Sequence, residues 1–157
     1  MNTVNAIIGS LEHAPEIILP LIGEVPARLL KRRPAPQKWS AHEHAVHLAE
    51  VHKLFSDRLD LMLDQDNPII KSYQPDRDDV DGALLEIDLH ESLIRFESDR
   101  KILIEKLKNL SQADWQRAAQ HEEYADYSIF IMFRHLALHD YLHAYRIEEI
   151  LLKEDWN

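Results

Sequence analysis

Apolar residues recur at intervals of three and four along most of this chain, the period of helices that turn one face to a core. The first such series is Val4, Ile7, Ile8, Leu11, Ile18, Leu19 and Ile22, crossed by Pro15 and Pro20. Proline removes a backbone donor and crowds the preceding turn, so a kink or a restart is expected there. Gly23 to Lys38 holds Pro26, Pro34 and Pro36 and reads as a connector, with one short turn of helix around Ala27 to Leu30.

The second helix has a clear start, because Ser40 followed by Glu43 forms a capping-box pattern. Ala41, His44, Leu48, Val51, Phe55, Leu59 and Met62 continue it, and Asn67-Pro68 should stop it near Asp66. Ile69 to Asp81 is polar and irregular, as a crossover loop would be. A third helix is expected from Gly82 to Leu110, on the seam Leu89, Leu93, Phe96, Leu103, Leu107 and Leu110. Ser111 to Ala125 reads as a loop with a short turn at Ala113 to Trp115. The last helix is expected from Tyr127 to Lys153, with Met132, Leu136, Ile147 and Ile150 on one face. Four long helices with two longer connections predict one all-α bundle domain over residues 1–157.

Composition agrees: three glycines are few for a sheet protein, and Leu, Ile, Ala, Glu and Lys are abundant. The chain has no cysteine, so a disulfide, a thiolate ligand and a cysteine nucleophile are all excluded. No uninterrupted apolar run nears the ~20 residues of a membrane span. The first residues lack a basic start and carry Glu12 and Glu16, so no signal peptide is expected and the cytoplasm is the default location. Net charge is −10, with acid concentrated at Asp57–Asp66 and Asp76–Asp88. Only Lys31, Arg32 and Arg33 form a basic group, so nucleic acid is not an expected partner.

The ten histidines carry the chemistry. At about 100° per residue, His44 and His47 fall in the apolar stripe of the second helix, whereas His42 faces away and His52 sits at the edge. On the last helix His139 and His143 stand four apart on the row of Leu136 and Ile147, close enough to share an ion. Two imidazoles from one helix and a third from another would leave an open coordination position, as in catalytic zinc sites. Imidazole suits Zn, Ni, Fe or Cu. Spacing alone is cheap, since His135 and His139 are also four apart; His135 tends toward the solvent side. Asp140 falls near the apolar stripe and needs a partner if buried; orienting a ligand imidazole is one use, and a surface acid is the other reading.

Two stretches resemble one known family. RPAPQKWSAHEHAVHLAEVHKLFSDRL, from Arg33, and LSQADWQRAAQHEEYADYSIFIMFRHLALHDYLHAYRIEEIL, from Leu110, are similar to the DinB-like superfamily in its order "KWS…HLAE", "L…DW.R…H", "HD..H". The resemblance implies an up-down-down-up four-helix bundle and a metal held by His47, His139 and His143. Two departures stand out: Arg146 where a glutamine is common, and Ala125 where a glycine is common. Either would reshape a pocket rim. His121 matches a loop histidine of the family, and Trp39 and Trp115 match positions expected to pack at helix starts.

Relatives of this kind include metal-dependent transferases acting on low-molecular-weight thiols, and isomerases and hydrolases. The resemblance therefore implies a thiol-dependent S-transferase or hydrolase with a divalent transition metal, Zn or Ni foremost, and a small-molecule substrate. Asp140 and His44 are the general acid–base candidates. The alternative is a non-catalytic metal-binding or stress-response module, its metal closed by a fourth ligand such as His44; a metal-free interaction bundle is a third class. Leu138, Tyr141, Leu142 and Tyr145 lie away from the histidine row, and this surplus apolar surface predicts a homodimer.

Overall fold

The computed structural model describes residues 2–75 and 80–153. The first helix, α1 (Asn2–Glu24), continues through both prolines without the restart that was one of the two expectations there. Pro15 has no N–H to offer the carbonyl of Leu11, one turn back, and Arg100 Nη1 donates to that oxygen instead at 3.0 Å. Pro20 lies on the exposed side, where water can serve the carbonyl of Glu16.

The short turn α2 (Ala27–Leu30) follows. Then α3 (Ala41–Asp64) opens on the expected box: Glu43 N donates to Ser40 Oγ at 3.2 Å, and Ser40 N donates to Glu43 Oε2 at 2.9 Å. The same Glu43 carboxylate receives the Arg33 guanidinium, so one member of the basic group is already neutralised inside the fold.

The third helix starts later than its apolar seam suggests. Gly82, at φ 79°, leads into a 3₁₀ turn (Ala83–Glu86), and α4 (Leu89–Lys108) begins only where Asp88 accepts from Glu91 N at 2.8 Å. Residues 76–79 of the crossover, Asp76 among them, lie outside the described residues. A short helix, α5 (Gln112–Trp115), is boxed by Ser111 and Asp114, and α6 (Ile129–Leu152) is capped by Ser128.

Side-chain pairs fix the helix directions. Glu50 meets Arg95 and Asp60 meets Lys106, so α3 and α4 run parallel. His47 meets His139 while Ala41 and Ala45 cluster with Ile147 and Ile150, so α3 and α6 are antiparallel. Tyr141 Oη donates to the Ser10 carbonyl and Ile22 packs with Ile147, so α1 and α6 are parallel. The result is an up-down-down-up four-helix bundle, in which α1 packs on α6 and α4, and α3 packs on the same two. Helices adjacent in sequence thus lie mainly on the diagonals.

One feature departs from an all-helical outline. Two-residue strands β1 (Ile69–Ile70) and β2 (Gln120–His121) pair in parallel and tie the two long connections together over one side of the bundle. A second departure concerns α1, which is long and apolar enough by length and composition to cross a bilayer, although no uninterrupted apolar run revealed it. In the bundle its Leu11, Ala14 and Ile18 are fully buried, as in a core helix.

Candidate metal centre

The antiparallel approach of α3 and α6 brings His47 against the His139–His143 pair. His47 Nε2 lies 3.1 Å from His139 Nε2, which lies 3.0 Å from His143 Nε2. One ligand atom from each ring falls within 4.8 Å of the others. A ring nitrogen carries either one proton or one lone pair. His139 Nε2 therefore cannot form two good hydrogen bonds with two other Nε2 atoms. Both separations fit a shared divalent ion, since imidazole nitrogens bind zinc at about 2.0–2.1 Å. The donor set fits a borderline transition metal.

Burial keeps these rings neutral, the form that coordinates. It pushes His47 down to about 3 and His139 to about 4, with neighbouring charges adding to the effect. His143 is lowered further, again by burial first and then by the adjacent rings. His44, lowered by burial to about 4, places Nδ1 2.7 Å from His143 Nδ1. With the proton of that bond on His143, the lone pair of His143 Nε2 faces the centre. His44 thus stands behind the His143 ring, at its rear nitrogen.

Asp140 does not orient an imidazole. It is fully buried, and its Oδ2 receives Arg100 Nη1 at 2.5 Å. Burial raises its carboxyl above the ordinary range while the guanidinium pulls it back. Among the described residues, the ring nitrogens Nδ1 of His47 and His139 have no hydrogen-bond partner. His42 and His52, expected away from the core and at its edge, are both buried. His42 Nε2 bonds the carbonyls of Leu84 and Ile87 at 3.1 Å each, and His52 bonds the backbone of Asp99. Helical phase placed them correctly on α3 but could not foresee the 3₁₀ turn and α4 covering that side. His135 is exposed, as expected.

The three rings form the floor of a cavity of about 250 Å³. Trp39 is one wall, with its ring centroid 4.8 Å from that of His47, so it belongs to the site as well as to the helix start. Trp115, by contrast, packs in the core against Phe133 as expected. Tyr73 stacks over His47 at 6.4 Å, and His121 sits 4.6 Å from both Tyr124 and Tyr127. His121 therefore does two things, lining the cavity and accepting from Glu123 N at 3.1 Å. Arg58 completes the wall. Arg146 borders a different hollow of about 820 Å³, on the far side of Trp39, where His44 also surfaces. Its departure from the family pattern reshapes that outer hollow and leaves the three-histidine cavity alone. Ala125 is exposed in the preceding loop.

A family profile described as the DinB superfamily matches residues 10–147. The chain belongs to the DinB superfamily. The Oceanobacillus iheyensis protein named "Putative metal-dependent hydrolase" is 26% identical over 156 residues, covering 98% of this chain and 88% of that one. The solved structure of YfiT from Bacillus subtilis, titled "a probable metal-dependent hydrolase with an unusual four-helix bundle topology", superposes with a TM-score of 0.84 at 18% identity. That match covers 94% of this chain and 85% of YfiT, and it shows the shared fold.

Several cavity residues of this DinB-superfamily chain escaped the sequence reading. Arg58 had a usable signal: eleven residues, or three turns, separate it from His47, which returns it to the same helix face. Tyr73 and Tyr124 had none, because they arrive on connections whose path no periodicity describes.

Proposed function

We propose that this DinB-superfamily chain is a metal-dependent hydrolase in which His47, His139 and His143 hold one divalent transition ion, Zn or Ni. The observation that carries this reading is the convergence of three ring nitrogens, from buried His47 and His143 and half-buried His139, on the floor of an open-sided cavity. The relatives named as metal-dependent hydrolases support it. When bound, such an ion supplies Lewis acidity and makes a water or a thiol nucleophilic near neutral pH. The chain's own residues hold the ligand rings, screen the floor with aromatic walls and leave one side open to substrate. A structural, closed site would need a fourth protein ligand, and His44 is turned to the rear nitrogen of His143 instead. Neither His44 nor Asp140 is assigned an acid–base step, because each is already committed, to His143 and to Arg100.

Titration of purified protein with Zn, Ni, Fe and Cu, followed by elemental analysis, tests the centre. One ion per chain is expected, lost on replacing any of the three histidines by alanine. Protein that takes up none of the four metals, with an unshifted melting temperature, would sink the reading. The loaded protein is then assayed on small esters, amides and lactones with and without a low-molecular-weight thiol. Water-dependent turnover supports the hydrolase; turnover that consumes thiol assigns S-transfer, the sulfur coming from the cosubstrate since the chain has no cysteine.

We further propose a homodimer through the outer face of α6, where Leu138, Leu142 and Tyr145 are 68%, 52% and 60% exposed. Tyr141, also expected there, is instead tied to Ser10. A single sedimenting species of 18.4 kDa at micromolar concentration would refute the dimer. Nucleic acid is not a proposed partner, given the net charge of −10 and the internal pairing of Arg33; micromolar binding of a duplex in physiological salt would overturn that.

A further inference from the structure

We infer that Arg58 anchors an anionic group of the substrate, so that the cavity takes small organic carboxylates with a flat apolar body. The inference rests on the cavity being the reaction site. Arg58 lies on the same face of α3 as His47 and lines the same cavity as the three rings. Four other arginines of the fold meet an acid: Arg33 meets Glu43, Arg95 meets Glu50, Arg100 meets Asp140 and Arg146 meets Glu149. Arg117 instead serves the carbonyls of Met62 and Gln65, and Arg134 lies over the Phe130 ring; neither lines this cavity. Among the described residues, no carboxylate meets Arg58, in a chain with 28 acidic residues.

Two acids of the adjoining connection are committed elsewhere, although Glu123 also lines the cavity. Glu122 accepts from Ser72 N at 2.9 Å, and Glu123 accepts from the side chain of Gln74. The protein contacts of Arg58 position its fork without neutralising it: Nη2 donates to the Lys71 carbonyl at 2.7 Å, and Nη1 reaches Tyr127 Oη at 3.4 Å. Its charge adds to burial in lowering His121 and His135 beside it. A half-buried guanidinium facing a cavity, with donors to spare, is the usual receptor for a carboxylate, which it can bind with two parallel hydrogen bonds.

The walls define the rest of the ligand. Tyr124 and Tyr127 present rings 6.1 Å apart and nearly parallel, at 11°, with His121 against both. Such faces favour a planar or apolar group. The volume of about 250 Å³ restricts that group to a small molecule. A carboxylate held at Arg58 would leave the remainder of the ligand over the histidine floor.

Benzoate and its neutral counterpart benzamide are the probes, titrated into the full chain and followed by amide NMR shifts. Both the metal-loaded protein and the His139→Ala variant, which lacks the centre, are used. Benzoate should bind both forms at millimolar concentration, and benzamide at least tenfold more weakly. Arg58→Gln should weaken benzoate tenfold or more and leave benzamide unchanged; Arg58→Lys, which keeps the charge but not the fork, should fall between. If Arg58→Gln does not fold by circular dichroism, the Arg58→Lys comparison carries the test. Equal binding of the two probes, no benzoate binding, or benzoate binding indifferent to both Arg58 variants would overturn the inference. Failure of metal uptake with Arg58-dependent benzoate binding intact would remove the proposed hydrolase alone.

Discussion

Replacing Pro15 tests whether a distant arginine stands in for a missing backbone proton. Pro15 leaves the Leu11 carbonyl without its helical donor, and Arg100 supplies one while also pairing with buried Asp140. Arg100→Met alone should cost about 3–5 kcal/mol, because it strands a buried carboxylate. That is a large share of the roughly 5–15 kcal/mol that a domain has. Arg100→Met with Asp140→Leu removes both charges, a change that is often near neutral. What remains is the orphaned carbonyl of Leu11, at about 1–3 kcal/mol. Pro15→Ala returns an N–H to that oxygen. Its gain should therefore be larger in the Arg100→Met/Asp140→Leu background than in the unmodified chain, by about 1–3 kcal/mol. Urea unfolding by far-UV circular dichroism on metal-free protein gives the four stabilities of the cycle. Gains equal to within about 0.5 kcal/mol would mean that Arg100 does not serve Leu11 in this way.

Two further outcomes follow from the centre. His44→Ala should weaken metal affinity about 10–100-fold by freeing the rear nitrogen of His143. His44→Gln, which can still bond that nitrogen, should recover part of the loss. The Co(II) absorption spectrum should also change with His44→Ala, and an affinity and spectrum untouched by it would refute the role. The metal-free protein should lose stability on acidification. The rings of buried His47 and His52 and of half-buried His139 have folded values of about 3, 4 and 4, below the ~6.5 of a free histidine. Their contribution is present above pH ~6.5 and is lost as pH falls toward 4, by about 2 kcal/mol per ring between pH 7 and 5. Urea midpoints that are flat or rising over that interval would contradict it.

The helical period located all four long helices, and the Ser40–Glu43 box placed the start of α3 to the residue. Where the sequence reading failed, the deciding partner was far along the chain. The donor that lets α1 pass Pro15 comes from Arg100, and the partner of Asp140 is that same side chain. Asp88 was readable as a cap, but the apolar positions on either side of it masked the break before α4. At the site, spacing alone ranked His135–His139 equal to His139–His143; the apolar row favoured the second pair, and the family resemblance added His47 to it as a ligand set. The cavity walls from Tyr73 and Tyr124 depend on the β1–β2 tie, for which two residues in each connection leave no recognisable pattern.

The arrangement of helices also bears on how the chain reaches its native state. Of the neighbouring long helices, α1 with α3 and α4 with α6 are not principal packing partners, and α3 packs on α4 in parallel, so no helical hairpin can form early and be kept. Stabilising contacts join distant segments, which raises contact order and should slow folding relative to an up-down-up-down bundle of equal length. The wait falls hardest on α1, the most apolar helix, whose parallel partner α6 is the last to be made. At ribosomal speeds that interval is on the order of ten seconds, during which the face carrying Leu11, Ala14 and Ile18 can meet α3 and α4 but lacks its main partner, α6. Nascent chains of this topology should therefore depend on chaperone shielding of their first helix more than their small size suggests.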